Sequence, residues 1–210
     1  MLVSIALILI EQIMINCLNC GRQYLAATFQ FGRTIDCACG AKVGLEERIS
    51  LPENIELRFF ADVNVGRLTR WLRMLGFDTV WEDRIPDGEL VRRALLEQRY
   101  ILTLDKRLPD DWRVGNVLLF KSEDLFEQLR ETIAHFKIEP PRASFTRCLV
   151  CNEPLRAASD EEIAAQVSEA VRKQHKTFQY CSNCRKVYWA GSHTERMRQA
   201  VNDLFADLEK

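Results

Sequence analysis

The sequence predicts an α/β fold built on a small parallel sheet, with a zinc ribbon on each side of it. Two observations carry that expectation. Between residues 58 and 138, short apolar runs alternate with helical patterns, as βαβ units do. Outside that stretch, eight cysteines fall into two complete quartets.

The apolar runs stop on acids. Arg58-Phe59-Phe60-Ala61 meets Asp62, Thr79-Val80-Trp81 meets Glu82 and Asp83, and Tyr100-Ile101-Leu102-Thr103-Leu104 meets Asp105. A fourth run, Val117-Leu118-Leu119-Phe120, is followed within four residues by Glu123 and Asp124. If the strands are parallel, these carboxylates gather at one edge, the edge at which open α/β sheets bind ligands. Crowded carboxylates repel one another unless a cation lies between them. An all-oxygen donor set suits a hard ion such as magnesium or manganese.

Helical patterns fill the gaps. The first is expected from about Val65 to Leu75, with Leu68, Leu72 and Leu75 on one face and Gly76 as its stop. Arg67, Arg70 and Arg73 recur every third residue on the remaining surface. The second is expected from about Gly88 to Gln98, burying Leu90, Val91, Ala94 and Leu95. The third follows Ser122, an acceptable N-cap, and runs through Leu125, Leu129, Ile133 and Phe136. Pro140-Pro141 then marks a boundary.

Four acids are the candidate catalytic groups. Asp62 ends the first strand before a turn containing Asn64 and Gly66, with helix capping as its competing role. Asp105 ends the most convincing strand, ahead of Lys106-Arg107, where ordinary turn chemistry competes. Asp87 also reads as the N-cap of Asp87-Gly88-Glu89-Leu90. Asp124 lies in a helical first turn, where an acid favours the macrodipole in any case. Beside such a cluster, Arg67, Arg70 and Arg73 are candidates to hold phosphates.

Cys17-Leu-Asn-Cys20 with Cys37-Ala-Cys39 forms one quartet, and Cys148-Leu-Val-Cys151 with Cys181-Ser-Asn-Cys184 forms the other. Four thiolates from two short turns close a structural zinc site and leave no open position for catalysis. Disulfides or a redox pair are the competing readings; a redox CxxC opens a helix in a βαβ unit, which neither pair clearly does. The expected units are a ribbon over residues 14–50, a linker at Leu51-Pro52-Glu53-Asn54, the α/β domain over 57–138 and a second ribbon over 144–210. A helical insert from about Asp160 to Lys173 separates the second ribbon's cysteine pairs. Ser192 and Glu195 read as a capping box for a final helix carrying Met197, Val201, Leu204, Phe205 and Leu208 on one face.

Composition excludes extremes. With 47% hydrophobic and 28% charged residues, the chain has the make-up of an ordinary globular protein. Its net charge of −1, with 14 basic and 14 acidic side chains in residues 58–138, restricts any nucleic-acid surface to a local patch. Met1 to Ile10 is apolar but Glu11 interrupts it, short of the roughly 20 residues a membrane span needs. That segment reads as a strand or as an extension upstream of a start at Met14. Without an export signal the expected compartment is the cytoplasm, where cysteines more often bind metal than pair.

Three stretches together resemble one family. They are Phe59-Phe60-Ala61-Asp62 with Gly66-Arg67-Leu68 and Arg70 to Asp78; Asp87-Gly88-Glu89-Leu90; and Ile101 to Leu108 around Asp105. With Phe145 to Asn152 and Cys181 to Met197, they are similar to the Mut-seven C-terminal ribonuclease family, a PIN-like nuclease domain followed by a zinc ribbon. The resemblance covers roughly residues 58–198. It implies a three-layer PIN-like domain, Asp62, Asp87 and Asp105 as metal-binding acids, and Cys148, Cys151, Cys181 and Cys184 as zinc ligands. Leu104 departs from the arginine the family often has there, and the N-terminal ribbon is not its usual partner domain.

The expectation is therefore a magnesium- or manganese-dependent ribonuclease with two structural zinc ions. Its ribbons would guide RNA over the acids, Trp189 and Tyr188 among the contacts. A non-catalytic RNA-binding or ribosome-associated module, and a protein-interaction adaptor, are the alternatives.

Overall fold

In the computed structural model, described for residues 14–25, 29, 33–44, 50–52, 55–140 and 145–208, the cysteine-rich N-terminal segment forms two small hairpins. Strands β1 (Met14–Asn16) and β2 (Gln23–Leu25) pair antiparallel, as do β3 (Ile35–Asp36) and β4 (Lys42–Val43). A cluster of Cys17, Phe29, Cys37 and Val43 is their core. The apolar stretch Met1 to Ile13, with its alternative start, lies outside the described residues.

The central sheet follows from runs that are apolar on both faces, the mark of a parallel strand covered on each side. Strand β5 (Arg58–Ala61) leads through a 3-10 turn at Val63–Val65 into helix α1 (Gly66–Met74). Then come β6 (Asp78–Trp81), α2 (Asp87–Leu96), β7 (Tyr100–Thr103), α3 (Leu108–Trp112), β8 (Val117–Leu119) and α4 (Leu125–Phe136). All three pairings are parallel, and the order is β6-β5-β7-β8. The chain steps from β5 to one side and returns past it to β7, so the topological switch point lies between β5 and β7.

Side-chain alternation separates the two faces. Phe59, Ala61 and Leu102 pack with Leu68 and Leu72 of α1 and Leu129 and Ile133 of α4. Phe60 and Ile101 pack on the other face against Leu90, Val91 and Ala94 of α2 and Leu108 of α3. This is the expected three-layer α/β arrangement. Gly76 closes α1 at φ +96°, a left-handed backbone that a side chain would strain.

The second cysteine-rich unit is a three-stranded antiparallel sheet of β9 (Arg156–Ala157), β10 (Phe178–Cys181) and β11 (Lys186–Trp189), ordered β11-β10-β9. Between β9 and β10 the expected helical insert is two short helices, α5 (Asp160–Gln166) and α6 (Glu169–Gln174). Val167 separates them because it turns extended and buries its side chain. The final helix, α7 (Ser192–Leu208), sends Met197, Val201, Leu204 and Phe205 into the α1–α4 face of the central core.

Three local expectations are corrected. The N-cap of α4 is Asp124, not Ser122; Asp124 accepts from the backbone N–H groups of Phe126 and Glu127, and Ser122 Oγ instead accepts from Asp124 N. Asp87 is the first residue of α2 rather than its cap, a position taken by Pro86. Ser192 is already helical, and Glu195 N donates to the Gly191 carbonyl.

Candidate metal edge and cysteine quartets

The carboxyl ends of β5 and β7 are bonded together through side chains. Asp62, only 5% exposed, caps the turn after β5 by accepting from Val63 N at 2.6 Å through Oδ1. Its Oδ2 accepts from the hydroxyl of Thr103, the last residue of β7, at 2.6 Å. That same hydroxyl accepts from Asp105 N at 2.9 Å. One buried threonine thus fixes both aspartates. Asn64 adds a second tie, its Oδ1 accepting from Leu104 N at 3.3 Å.

Asp105 is half-buried, and its Oδ1 accepts from Arg107 N at 2.9 Å with Arg107 Nε at 3.8 Å. Asp87 reaches the same neighbourhood from the start of α2. Partial burial, and then the charges of Asp62 and Asp105, hold its carboxyl above the usual carboxylate range. Arg107 and Asp111 act on Asp87 as well, the first lowering and the second raising its pKa. Asp124 caps α4, its Oδ1 accepting from Phe126 N and Glu127 N. Glu82 pairs with Arg93.

Beside Asp62 the carboxyl edge opens into a groove of about 390 Å³ lined by Asn64, Arg67, Arg70, Trp81 and Glu123. Arg67 and Arg70 are exposed and have no ion-pair or hydrogen-bond partner among the described residues. Trp81 is 37% exposed, and its indole lies so close to Gly66 that a Cβ there would meet Nε1 at 2.5 Å. Glycine at position 66 is thus a packing requirement.

Arg73 is a correction. Its guanidinium is buried and spent on three carbonyls, with Nε donating to Thr79 O at 2.9 Å and Nη1 to Val150 O and Leu149 O. It fastens the second ribbon to α1 and is closed to a phosphate. Asn152 continues that seam, accepting from Thr79 N and donating to Asp78 Oδ1 at 2.7 Å. Arg99, 8% exposed, donates to the same carboxylate at 2.8 Å. Burial alone would raise Asp78, but Arg99 and Asn152 hold it below the usual carboxylate range.

Asp78 opens β6, so the second ribbon sits at the amino edge of the sheet, opposite the acids. Trp189 goes with it. Its indole lines a cavity of about 210 Å³ with Tyr188, Phe145 and Arg147, away from the carboxyl edge.

The cysteines meet as expected. In each quartet all four sulfurs lie within 4.8 Å of one another. Cys17 to Cys39 is 3.6 Å, Cys20 to Cys37 is 3.5 Å, Cys148 to Cys184 is 3.8 Å and Cys151 to Cys181 is 3.4 Å. A tetrahedron with Zn–S bonds of about 2.3 Å has edges of about 3.8 Å. Such spacing is far beyond a disulfide bond of about 2.05 Å, and all eight cysteines are free. The backbone N–H of Cys39 draws the Cys37 thiol down to about 6. Burial works against the Cys151 thiolate, yet the Glu153 backbone N–H brings it to about 6 as well. Both groups could hold zinc.

Sequence reading missed Thr103, Asn64 and Trp81. Each looked like strand or turn filler, and only the β5–β7 and β5–β6 pairings bring them to the site.

A doubly wound parallel sheet with aspartates at its switch point defines an α/β protein whose ligand site is the carboxyl edge. A family model for the Mut7-C RNAse domain matches residues 57–201, and the chain belongs to this ribonuclease family. The match takes in the central sheet and the second quartet and excludes the first ribbon. No curated protein and no solved structure matches the chain. Among the described residues, no helix is long and apolar enough to cross a membrane.

Proposed function

We propose that the chain is a divalent-metal-dependent ribonuclease that cleaves RNA phosphodiester bonds at the edge formed by Asp62, Asp87 and Asp105. The observation that carries this is the Thr103 hydroxyl joining Asp62 and Asp105 at the switch point, with Asp87 perturbed by both. Three carboxylates are hard donors suited to Mg²⁺ or Mn²⁺. Among the described residues, only the cysteine quartets bring three or more donors within 4.8 Å. The wider acid spacing suits an ion that keeps several waters and takes only one or two carboxylates directly. A bound ion of this kind lowers the pKa of water and stabilises charge on a leaving oxygen.

The chain's own groups do the positioning. Val63 N and the Thr103 hydroxyl hold the Asp62 carboxylate in one orientation, and Arg107 N holds that of Asp105. Arg67 and Arg70 face phosphates along the groove, and Trp81 offers a ring face to an unpaired base. RNA therefore meets the carboxyl edge through Arg67, Arg70 and Trp81, while Trp189 is at most a distant contact. Both quartets carry structural zinc. Free cysteines suit a reducing compartment, in keeping with a cytoplasmic location.

The test is incubation of labelled RNA with the purified full chain, with and without Mn²⁺, beside Asp62→Asn. Metal-dependent cleavage lost in the variant supports the reading. RNA that is bound but left intact would make the protein an RNA-binding module instead. Equal cleavage by both proteins would move the active site elsewhere.

A further inference from the structure

We propose that the N-terminal ribbon is a positioning element for the metal edge, acting through Thr34 and Trp112 on helix α3. This rests on the metal-edge reading, and it concerns a part of the chain that lies outside the matched family domain.

Helix α3 has only five residues, too few to be stable unsupported. It begins three residues after Asp105, at the end of the turn that Asp105 closes by accepting from Arg107 N. The amide N–H groups of Asp110 and Asp111 both donate back to Arg107 O, so that turn and the helix move as one. At its other end Thr34 of the ribbon adds donors to the carbonyls. Its backbone N–H and its hydroxyl both donate to Asp111 O, the hydroxyl at 3.1 Å, and the hydroxyl also lies 3.3 Å from Asp110 O. Lys42 pairs with the Asp111 carboxylate from the same ribbon.

Trp112 carries the contact to the second turn. The Arg33 guanidinium lies over its ring at 5.4 Å, and the far edge of the indole rests on Gly88. A Cβ at position 88 would meet Trp112 Cη2 at 2.8 Å. Gly88 follows Asp87 directly, so the ring is a spacer between α3 and the start of α2. The ribbon thus clamps the one short helix that touches the Asp105 turn at its front and the Asp87 turn at its back. Thr34 and Trp112 touch no substrate in this arrangement; they fix where two acids stand.

The experiment compares wild type with Trp112→Ala, Trp112→Phe, Thr34→Val and Cys37→Ser, all as full chains. Two readouts are taken: amide hydrogen exchange across residues 87–90 and 105–111, and Mn²⁺ affinity by titration calorimetry. Exchange in both segments is expected to speed up in Trp112→Ala and Cys37→Ser, less in Thr34→Val, and to return towards wild type in Trp112→Phe. Mn²⁺ binding is expected to weaken about tenfold in Trp112→Ala, the lower end of the range for second-shell supports. Exchange that stays at the wild-type rate in both segments of Cys37→Ser and Thr34→Val would overturn the proposal. That result is independent of the metal-edge reading, which stands or falls on Asp62→Asn. A lowered melting temperature with unchanged exchange at both turns would likewise count against it, since it would leave the ribbon a merely stabilising role.

Discussion

Asp87 carries the cost of the site when no cation is bound. Partial burial and the nearby Asp62 and Asp105 raise its folded pKa above the usual carboxylate range. A raised folded pKa contributes stability that is fully present below the unfolded value, about 3.9 for aspartate, and is lost as pH rises through the folded value. Ionised Asp87 at neutral pH therefore destabilises the metal-free chain, and Asp87→Asn should raise its thermal midpoint at pH 7. The gain should shrink as pH falls through the folded value, where wild-type Asp87 takes up its proton. Added Mn²⁺ should reverse the order, because only wild type keeps the full negative charge. Thermal melts with chelator or Mn²⁺ across pH check this, and a variant no more stable than wild type at pH 7 with chelator would defeat it. The charge of Asp87 was legible in the sequence. The hydroxyl of Thr103 was not, because an apolar run gives no sign of which strand will lie beside it.

At the scale of elements, Asp124 separates capping from chemistry. Both α4 backbone donors converge on its Oδ1, which is sufficient reason for an acid at that position. Asp124→Asn keeps an acceptor there and should leave both stability and RNA cleavage near wild type. Asp124→Ala should lose about 1 kcal/mol of stability with cleavage per folded molecule unchanged. Cleavage that falls in the asparagine variant as far as in Asp62→Asn would return Asp124 to the site. The four strands and the long helices were readable because Phe59, Phe60, Leu68, Leu72 and Leu129 follow the period of their element. Helix α3 was not, since Pro109, Asp110 and Asp111 give a five-residue stretch no apolar period. Leu108 fills the core at its start, and Thr34 of the ribbon bonds its far end.

Across the whole molecule the two ribbons sit at opposite edges of one sheet and should respond differently to loss of zinc. The second is fastened to the amino edge through Arg73, Asn152 and Asp78, and its chain continues into α7. That helix delivers Met197, Val201, Leu204 and Phe205 to the central core. Burying each such side chain is worth about 1.5–3 kcal/mol, so the core depends on this helix being held in place. The first ribbon instead has its own small core around Phe29 and Val43 and meets the sheet domain at the end of α3. Structural zinc supplies folding free energy to units this small. Wild type should therefore contain about two zinc per chain by elemental analysis, and Cys37→Ser and Cys181→Ser about one each. The consequences should diverge from there. Cys181→Ser should lower the main thermal transition and expose apolar core surface to a hydrophobic dye. Cys37→Ser should leave that transition near wild type and loosen only the turns around Asp87 and Asp105. Equal losses of global stability in the two variants would show that the ribbons share one role, and the division between a core-building ribbon and an edge-positioning one would be wrong.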